Sequence, residues 1–316
     1  MYPKDIHNKR ILIASLNWGF GHVARCIPII KDLKSRNNQI WIACSDLQKD
    51  VFSSYFTEVN YISLSDYPFK FKGGGHFILD VLLQSPLLFK KFNREKSFVN
   101  NLLNDLTIDL IISDQRYSFR SKRCPSIFIT HQLQLPNFFL KYFFQKIHFN
   151  NVSKFKYIWV CDNRKSQFAG DLSSNNKFSN CFYIGPQSRF SRANPNRDKD
   201  IDHTLVISGP KAYHDTLIQY FLSKADKNQI NCVISPNKIN SDLLKKLNSL
   251  NINHIITSKN WGESDSLILR SKKITSFCGY TTLMDLHFLN IDSDLIATPG
   301  QKEQKYLFKF HNLDST

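Results

Sequence analysis

Short apolar runs rich in β-branched residues alternate with longer amphipathic stretches through most of the chain. Strands are predicted at 11–15, 40–44, 59–62, 110–113, 126–130 and 157–161, with helices at 24–35, 89–106 and 135–148 between them. Runs that are apolar on both faces and separated by helices predict parallel strands buried on two sides, hence the α/β class. The alternation pauses after Gly185-Pro186. Residues 187–202 are polar, contain Pro195 and three arginines, and have no apolar period, which marks a linker. It then restarts with strands at 205–208, 232–235, 254–257, 274–277 and 295–298, and helices at 213–225, 241–250, 264–270 and 281–289. The expected organisation is two Rossmann-like doubly wound parallel-sheet domains facing a cleft: 1–187, a linker at 188–202, and 203–316.

The polar loops between these runs carry the candidate chemistry. The first strand leads into Asn17-Trp18-Gly19-Phe20-Gly21-His22, with a helix expected from about His22. Gly19 and Gly21 permit close approach of a ligand, and a helix N-terminus offers unpaired N–H groups to an anion. His22 stands at that mouth, where an imidazole can act as a base. Asp114 and His131 each follow a buried strand directly, so the three groups converge on one sheet edge, with Arg116 close by in sequence. A carboxylate beside His22 is expected to orient the ring and favour its protonated form. Read singly, each of these groups also fits a plain role as a capping or strand-end residue.

The second half repeats the strand–glycine–helix device at Cys278-Gly279-Tyr280-Thr281-Thr282, with Asp285 one turn into the helix and able to accept two ribose hydroxyls. Ser208-Gly209-Pro210 is another strand-to-loop junction that can face phosphate. The run Thr298 to Gln304 brings Gln301, Glu303 and Gln304, amide and carboxylate groups suited to sugar hydroxyls or simply to a solvated helix start.

Charge and cysteines narrow the class. Lys+Arg 42 against Asp+Glu 26 gives a net charge of +16, which favours anionic partners or reflects background lysine on solvated faces. No zinc-finger spacing, RNA-binding strand motif or arginine-rich arm accompanies it, so nucleic acid is not the expected partner. Seven widely spaced cysteines without a C-x-x-C predict neither a disulfide framework nor a zinc site. The polar start and the lack of a run of roughly 20 apolar residues predict a cytoplasmic protein. Aromatic and lysine residues interleave at 138–148, from Phe138 and Phe139 to His148, which reads either as an interfacial helix at the inner face of the cell membrane or as a core-packing one.

Taken in order, the segments GFGHVAR (Gly19 to Arg25), SDQRYSFR (from Ser113), THQL (from Thr130), IGP (from Ile184), ISGP (from Ile207), GYTTLMD (from Gly279) and TPGQKEQ (from Thr298) resemble the GT-B class of nucleotide-sugar glycosyltransferases. Within it, the chain is similar to the GlcNAc transferase of peptidoglycan lipid-intermediate synthesis and its bacterial relatives. The resemblance implies an inverting, metal-independent transferase with a UDP-sugar co-substrate and no other cofactor. An N-acetylhexosamine or hexose would move to a glycan or lipid-linked acceptor hydroxyl of the cell envelope. It implies His22 as base aided by Asp114, and Gly19, Gly21, Arg116 and His131 on the acceptor side. It implies donor binding by Ser208, Gly209, Gly279, Tyr280, Thr281, Thr282, Asp285, Gln301, Glu303 and Gln304. The chain departs from the pattern at Phe277-Cys278, where arginine and serine are usual, at Lys211 to His214, and at Asp285, usually glutamate. The sequence also stops at Thr316, where such proteins commonly add a helix crossing back to the first half. A catalytically inactive nucleotide-sugar-binding homologue or partner subunit, and a UDP-sugar epimerase of the same fold, therefore stand as alternatives.

Overall fold

The structure is a computed structural model and describes residues 1–68, 77–137, 140–194, 197–236, 239, 241–248, 252–257, 261–311 and 313. Phe138, Phe139 and Pro195 lie outside these. The first half contains strands β1 (Arg10–Ser15), β2 (Gln39–Cys44), β3 (Asn60–Ser63), β4 (Leu110–Asp114), β5 (Ser126–Thr130), β6 (Tyr157–Val160) and β7 (Cys181–Tyr183). They form one sheet in the order β3-β2-β1-β4-β5-β6-β7, parallel throughout. The second half contains β8 (Ile201–Val206), β9 (Asn231–Ser235), β10 (Ile252–Thr257), β11 (Ser271–Phe277) and β12 (Asp292–Ile296), again parallel, in the order β10-β9-β8-β11-β12.

In both sheets the order reverses beside the first strand, between β1 and β4 and between β8 and β11. Chains leaving the two strands there turn to opposite faces, which opens a crevice at the carboxyl ends where ligands bind in such sheets. The register places Ser15 beside Asp114 at the end of the β1–β4 pair. Helices pack along the sheets: α1 (Phe20–Lys34), α2 (Asp46–Ser53), α3 (Phe77–Asp105), α4 (Lys141–Val152), α5 (His214–Leu222), α6 (Ser241–Asn248), α7 (Trp261–Leu269), α8 (Tyr280–Leu289) and α9 (Lys302–Phe310). The apolar positions Val23, Cys26, Ile27, Ile30 and Leu33 repeat at helical spacing along α1 and are buried.

Several boundaries move from their sequence expectation, each for a local reason. Helix α3 begins twelve residues earlier than 89 and runs through Pro86. Proline cannot donate to the carbonyl four residues back; the Ser85 hydroxyl donates to that Leu82 carbonyl instead, at 2.8 Å. Helix α4 starts at Lys141, six residues after 135, behind a left-handed Leu140. Strand β8 begins at Ile201, inside the stretch expected to be linker, because the polar side chains of a central strand find partners: Thr204 meets the Ser271 hydroxyl at 2.6 Å and His203 Nε2 meets Thr275 at 2.7 Å.

The halves touch. One buried apolar cluster is continuous across them, joining Ala169 and Leu172 to Tyr280, Met284 and Leu307. Helix α9 reaches back to the first half: the Asp171 N–H donates to the Tyr306 hydroxyl at 2.7 Å and His311 Nε2 donates to the Phe168 carbonyl at 2.8 Å.

Candidate functional site

Gly19, at φ 122°, turns the chain out of β1 and opens α1, two residues before the expected start. A glycine there supplies no side-chain cap to the first N–H groups of the helix. His22 lies in the first turn and is half-buried; its Nδ1 is 2.8 Å from Asp114 Oδ2. Asp114 is fully buried at the end of β4 and also accepts from Arg25 Nε at 2.9 Å. Arg25, three residues after His22 and so on the same helix face, is itself buried. It contacts His22 Nδ1 through Nη2 at 2.6 Å and His131 Nδ1 through Nη1 at 2.7 Å. Arginine only donates, so His131 Nδ1 is an acceptor and its proton sits on Nε2, which donates to Glu303 Oε1 at 2.9 Å. The ring of His131 stacks on Tyr280, with centroids 4.2 Å apart.

The electrostatics correct one expectation. Burial and the Arg25 cation lower the pKa of His22 and outweigh the Asp114 carboxylate, so the ring is held neutral rather than protonated. Burial pushes Asp114 up, but Arg25 and His22 outweigh it and keep the carboxyl below its ordinary value. Glu303 behaves alike: burial raises it, and His131 with Arg25 brings it below the ordinary value.

Apart from the Glu303 carboxylate, the second half meets this cluster with neutral groups. Gly279 opens α8 at φ −84° with no side-chain cap, and Thr281 donates to the Gly21 carbonyl at 3.1 Å. Ser208 pairs with Ser276 at 3.0 Å, and Gly209 takes φ +72°. Gly19, Gly21, His22, Ser208, Gly209, Gly279, Thr281, Thr282, Gln301 and Glu303 all retain some exposure, and His131 and Tyr280 are buried behind them.

Three expected site residues are engaged elsewhere. Arg116 is fully buried, donating to Glu95 at 2.6 Å and to the Ser15 carbonyl at 3.2 Å, with its guanidinium over the Tyr67 ring; it braces the first sheet instead of facing an acceptor. The Gln304 carboxamide oxygen accepts from the Thr298 N–H at 2.8 Å, a bond that closes the turn, and the residue is buried. Asp285 accepts from Ser188 at 2.6 Å and from Arg189 Nη1 at 2.5 Å, so both oxygens expected for a ribose already hold a protein donor. Burial raises the Asp285 pKa despite Arg189 and Ser188. Arg189 also donates to Asp265 at 2.8 Å, which takes the Tyr55 hydroxyl at 2.5 Å.

Sequence reading missed Arg25 and Arg189 as parts of these networks. The spacing of Arg25 from His22 was a usable signal; Arg189 sits in the polar 187–202 stretch and has no local one. Among the described residues, no group of three His, Cys, Asp or Glu side chains is arranged to hold a metal ion.

No protein-family model and no curated protein matches the sequence. Solved structures match nearly the whole chain. The glycotransferase of kitacinnamycin aligns with 96% of this chain and 84% of its own at TM-score 0.63 and 11% identity. The Phytolacca americana UGT2, solved with UDP-2-fluoro-glucose and pterostilbene, aligns with 96% and 83% at TM-score 0.58 and 11% identity. Acinetobacter baumannii MurG aligns with 96% and 82% at TM-score 0.52 and 10% identity. The chain has the GT-B fold. At these identities the likeness is one of fold, and the chemistry of this GT-B protein rests on its own side chains.

Proposed function

We propose that this chain is a glycosyltransferase that moves a hexose or N-acetylhexosamine from a UDP-linked donor to an acceptor hydroxyl, with inversion and without a metal. The observation that carries the reading is the His22–Asp114 pair at the α1 N-terminus, set against the uncapped glycine turn of α8. With Nδ1–H donated to Asp114, the Nε2 lone pair of His22 takes the acceptor proton. The acceptor oxygen bonds to the anomeric carbon as the bond to the diphosphate oxygen breaks. The leaving UDP is stabilised by the first-turn N–H groups of α8 and by Thr281 and Thr282. A neutral imidazole is the form that accepts a proton, which agrees with its lowered pKa.

The test is sugar transfer from a panel of UDP-sugars, pre-screened by thermal shift. His22→Ala should cut turnover on the order of 10²- to 10⁴-fold with UDP binding retained. Unchanged turnover would overturn the base assignment. A second reading, a nucleotide-sugar binder that does not transfer, is favoured by the Arg189 and Ser188 bonds that occupy Asp285; UDP binding with neither transfer nor donor hydrolysis would establish it.

The acceptor we propose is lipid-linked and met at a membrane surface. No described helix is long and apolar enough to cross one. Leu83, Leu87 and Phe89 on α3, and Tyr142 and Phe143 on α4, are exposed, Tyr142 by 89%, and lysines 90, 91, 141 and 146 accompany them. The two helices adjoin through the Phe92–Tyr117–His148 ring contacts. Flotation with anionic liposomes tests this; recovery only in the soluble fraction would count against it.

A further inference from the structure

Among the described residues, Arg25 is the one side chain hydrogen-bonded to Asp114, His22 and His131 together. Its contact with His22 raises a question of proton placement. Nδ1 of His22 lies 2.8 Å from a carboxylate oxygen, which needs a donor, and 2.6 Å from a guanidinium nitrogen, which needs an acceptor. A neutral ring satisfies one of these at a time. If Nδ1 carries the proton it donates to Asp114, and Nε2 is open. If Arg25 donates to Nδ1, the proton lies on Nε2 and that nitrogen cannot act as a base. The Arg25 Nη2 group also lies 2.5 Å from Asp114 Oδ1, so a small turn of the guanidinium moves it from one acceptor to the other.

The far end of the guanidinium is tethered. Nη1 donates to His131 Nδ1, and His131 is held by Glu303 of α9 and by the face of Tyr280 of α8. Two second-half residues thus fix a side chain that bears on the proton of a first-half histidine.

We propose that Arg25 is a positioning residue that decides which nitrogen of His22 carries the proton, its own orientation being set across the cleft by His131 and Glu303. Its catalytic consequence rests on the transferase reading above, while its proton placement does not. The charged and titratable groups facing His22 are Arg25 from α1, Asp114 from β4, His131 after β5 and Glu303 from α9.

The test uses the full chain with ¹⁵N-labelled histidine, read by imidazole spectra over about pH 4 to 8, a range that brackets the ordinary histidine value. In the wild type, His131 should show the Nε2–H tautomer and His22 should titrate below the ordinary value. Arg25→Gln removes the cation and leaves Asp114, so the His22 midpoint should rise by about one pH unit or more, and His131 should lose its single tautomer. A folded Arg25→Gln chain with both features unchanged overturns the proposal. Should that variant not fold, Arg25→Lys keeps the charge and loses the fork. It should hold the His22 midpoint low while the His131 tautomer becomes mixed, and wild-type spectra there overturn the proposal equally. In a transfer assay, Arg25→Gln should move the acid limb of the kcat profile upward by the same interval with the donor KM unchanged. A His22→Ala variant with full turnover would sink the transferase base while leaving the spectral result standing, so the two failures are told apart.

Discussion

The two sheets share a strand order, yet the loops that follow their central strands are built from different chemistry. In the first half, hydrogen bonds through Arg25 join His22, Asp114 and His131. In the second, the loops after β8 and β11 present Ser208, Gly209, Gly279, Thr281 and Thr282, all uncharged, and Glu303, beyond β12, joins the first-half cluster through His131. One half can hold and move a proton. The other offers backbone N–H groups and hydroxyls, which suit an anion. The same topology serves both because the crevice belongs to the strand order, while its chemistry belongs to the loops. The cations follow the same division. Arg25 works inside the first-half cluster, whereas Arg189 is compensated by Asp265 and Asp285.

The largest expected effect tests the first half as a charge network. Asp114→Asn leaves the Arg25 guanidinium buried without its carboxylate. Removing one partner of such a pair costs about 3–5 kcal/mol, measurable by urea unfolding. A loss below about 1 kcal/mol would mean the cluster is not electrostatically coupled.

The next effect puts the halves side by side in acid. Burial pushes the pKa of His148, in the first half, and His203, in the second, down to about 4. Each is neutral when folded and titrates near 6.5 when unfolded, so the folded state binds fewer protons. Stability is therefore full above about pH 6.5 and falls as the pH drops toward 4, by at most about 3 kcal/mol for each. Unfolding midpoints that stay level between about pH 7 and 4.5 would contradict this.

The smallest effect separates the two glycine loops of the second half. A Cβ at Gly209 would stand at φ +72° and 3.3 Å from the Phe277 ring, so Gly209→Ala should cost about 1–2 kcal/mol. Gly279 has an ordinary φ of −84°, and its Cβ would lie 3.7 Å from Thr282 Oγ1. Gly279→Ala should change stability by less than about 1 kcal/mol while weakening UDP binding about tenfold, read by calorimetry. Equal losses in both assays would show that Gly279 is a folding residue and not part of an anion cradle.

The α/β class and the two sheets were legible in the chain because buried parallel strands need continuous apolar runs, and those runs are local. The positions of Asp114 and His131 were legible too, since a polar residue directly after such a run lies at a strand end, and that of His22 because it closes the glycine loop after the first strand. Bonds made between distant segments were not. Arg116 and Asp285 looked like site residues by place, but Glu95 and Arg189, 21 and 96 residues away, take up their polar atoms. Whether His22 is charged was equally hidden, because that depends on how much water burial removes and on a guanidinium whose orientation is set from α8 and α9. Apolar periodicity is written in neighbouring residues; the partner and charge of a buried polar group are written in segments that meet when the halves pack together.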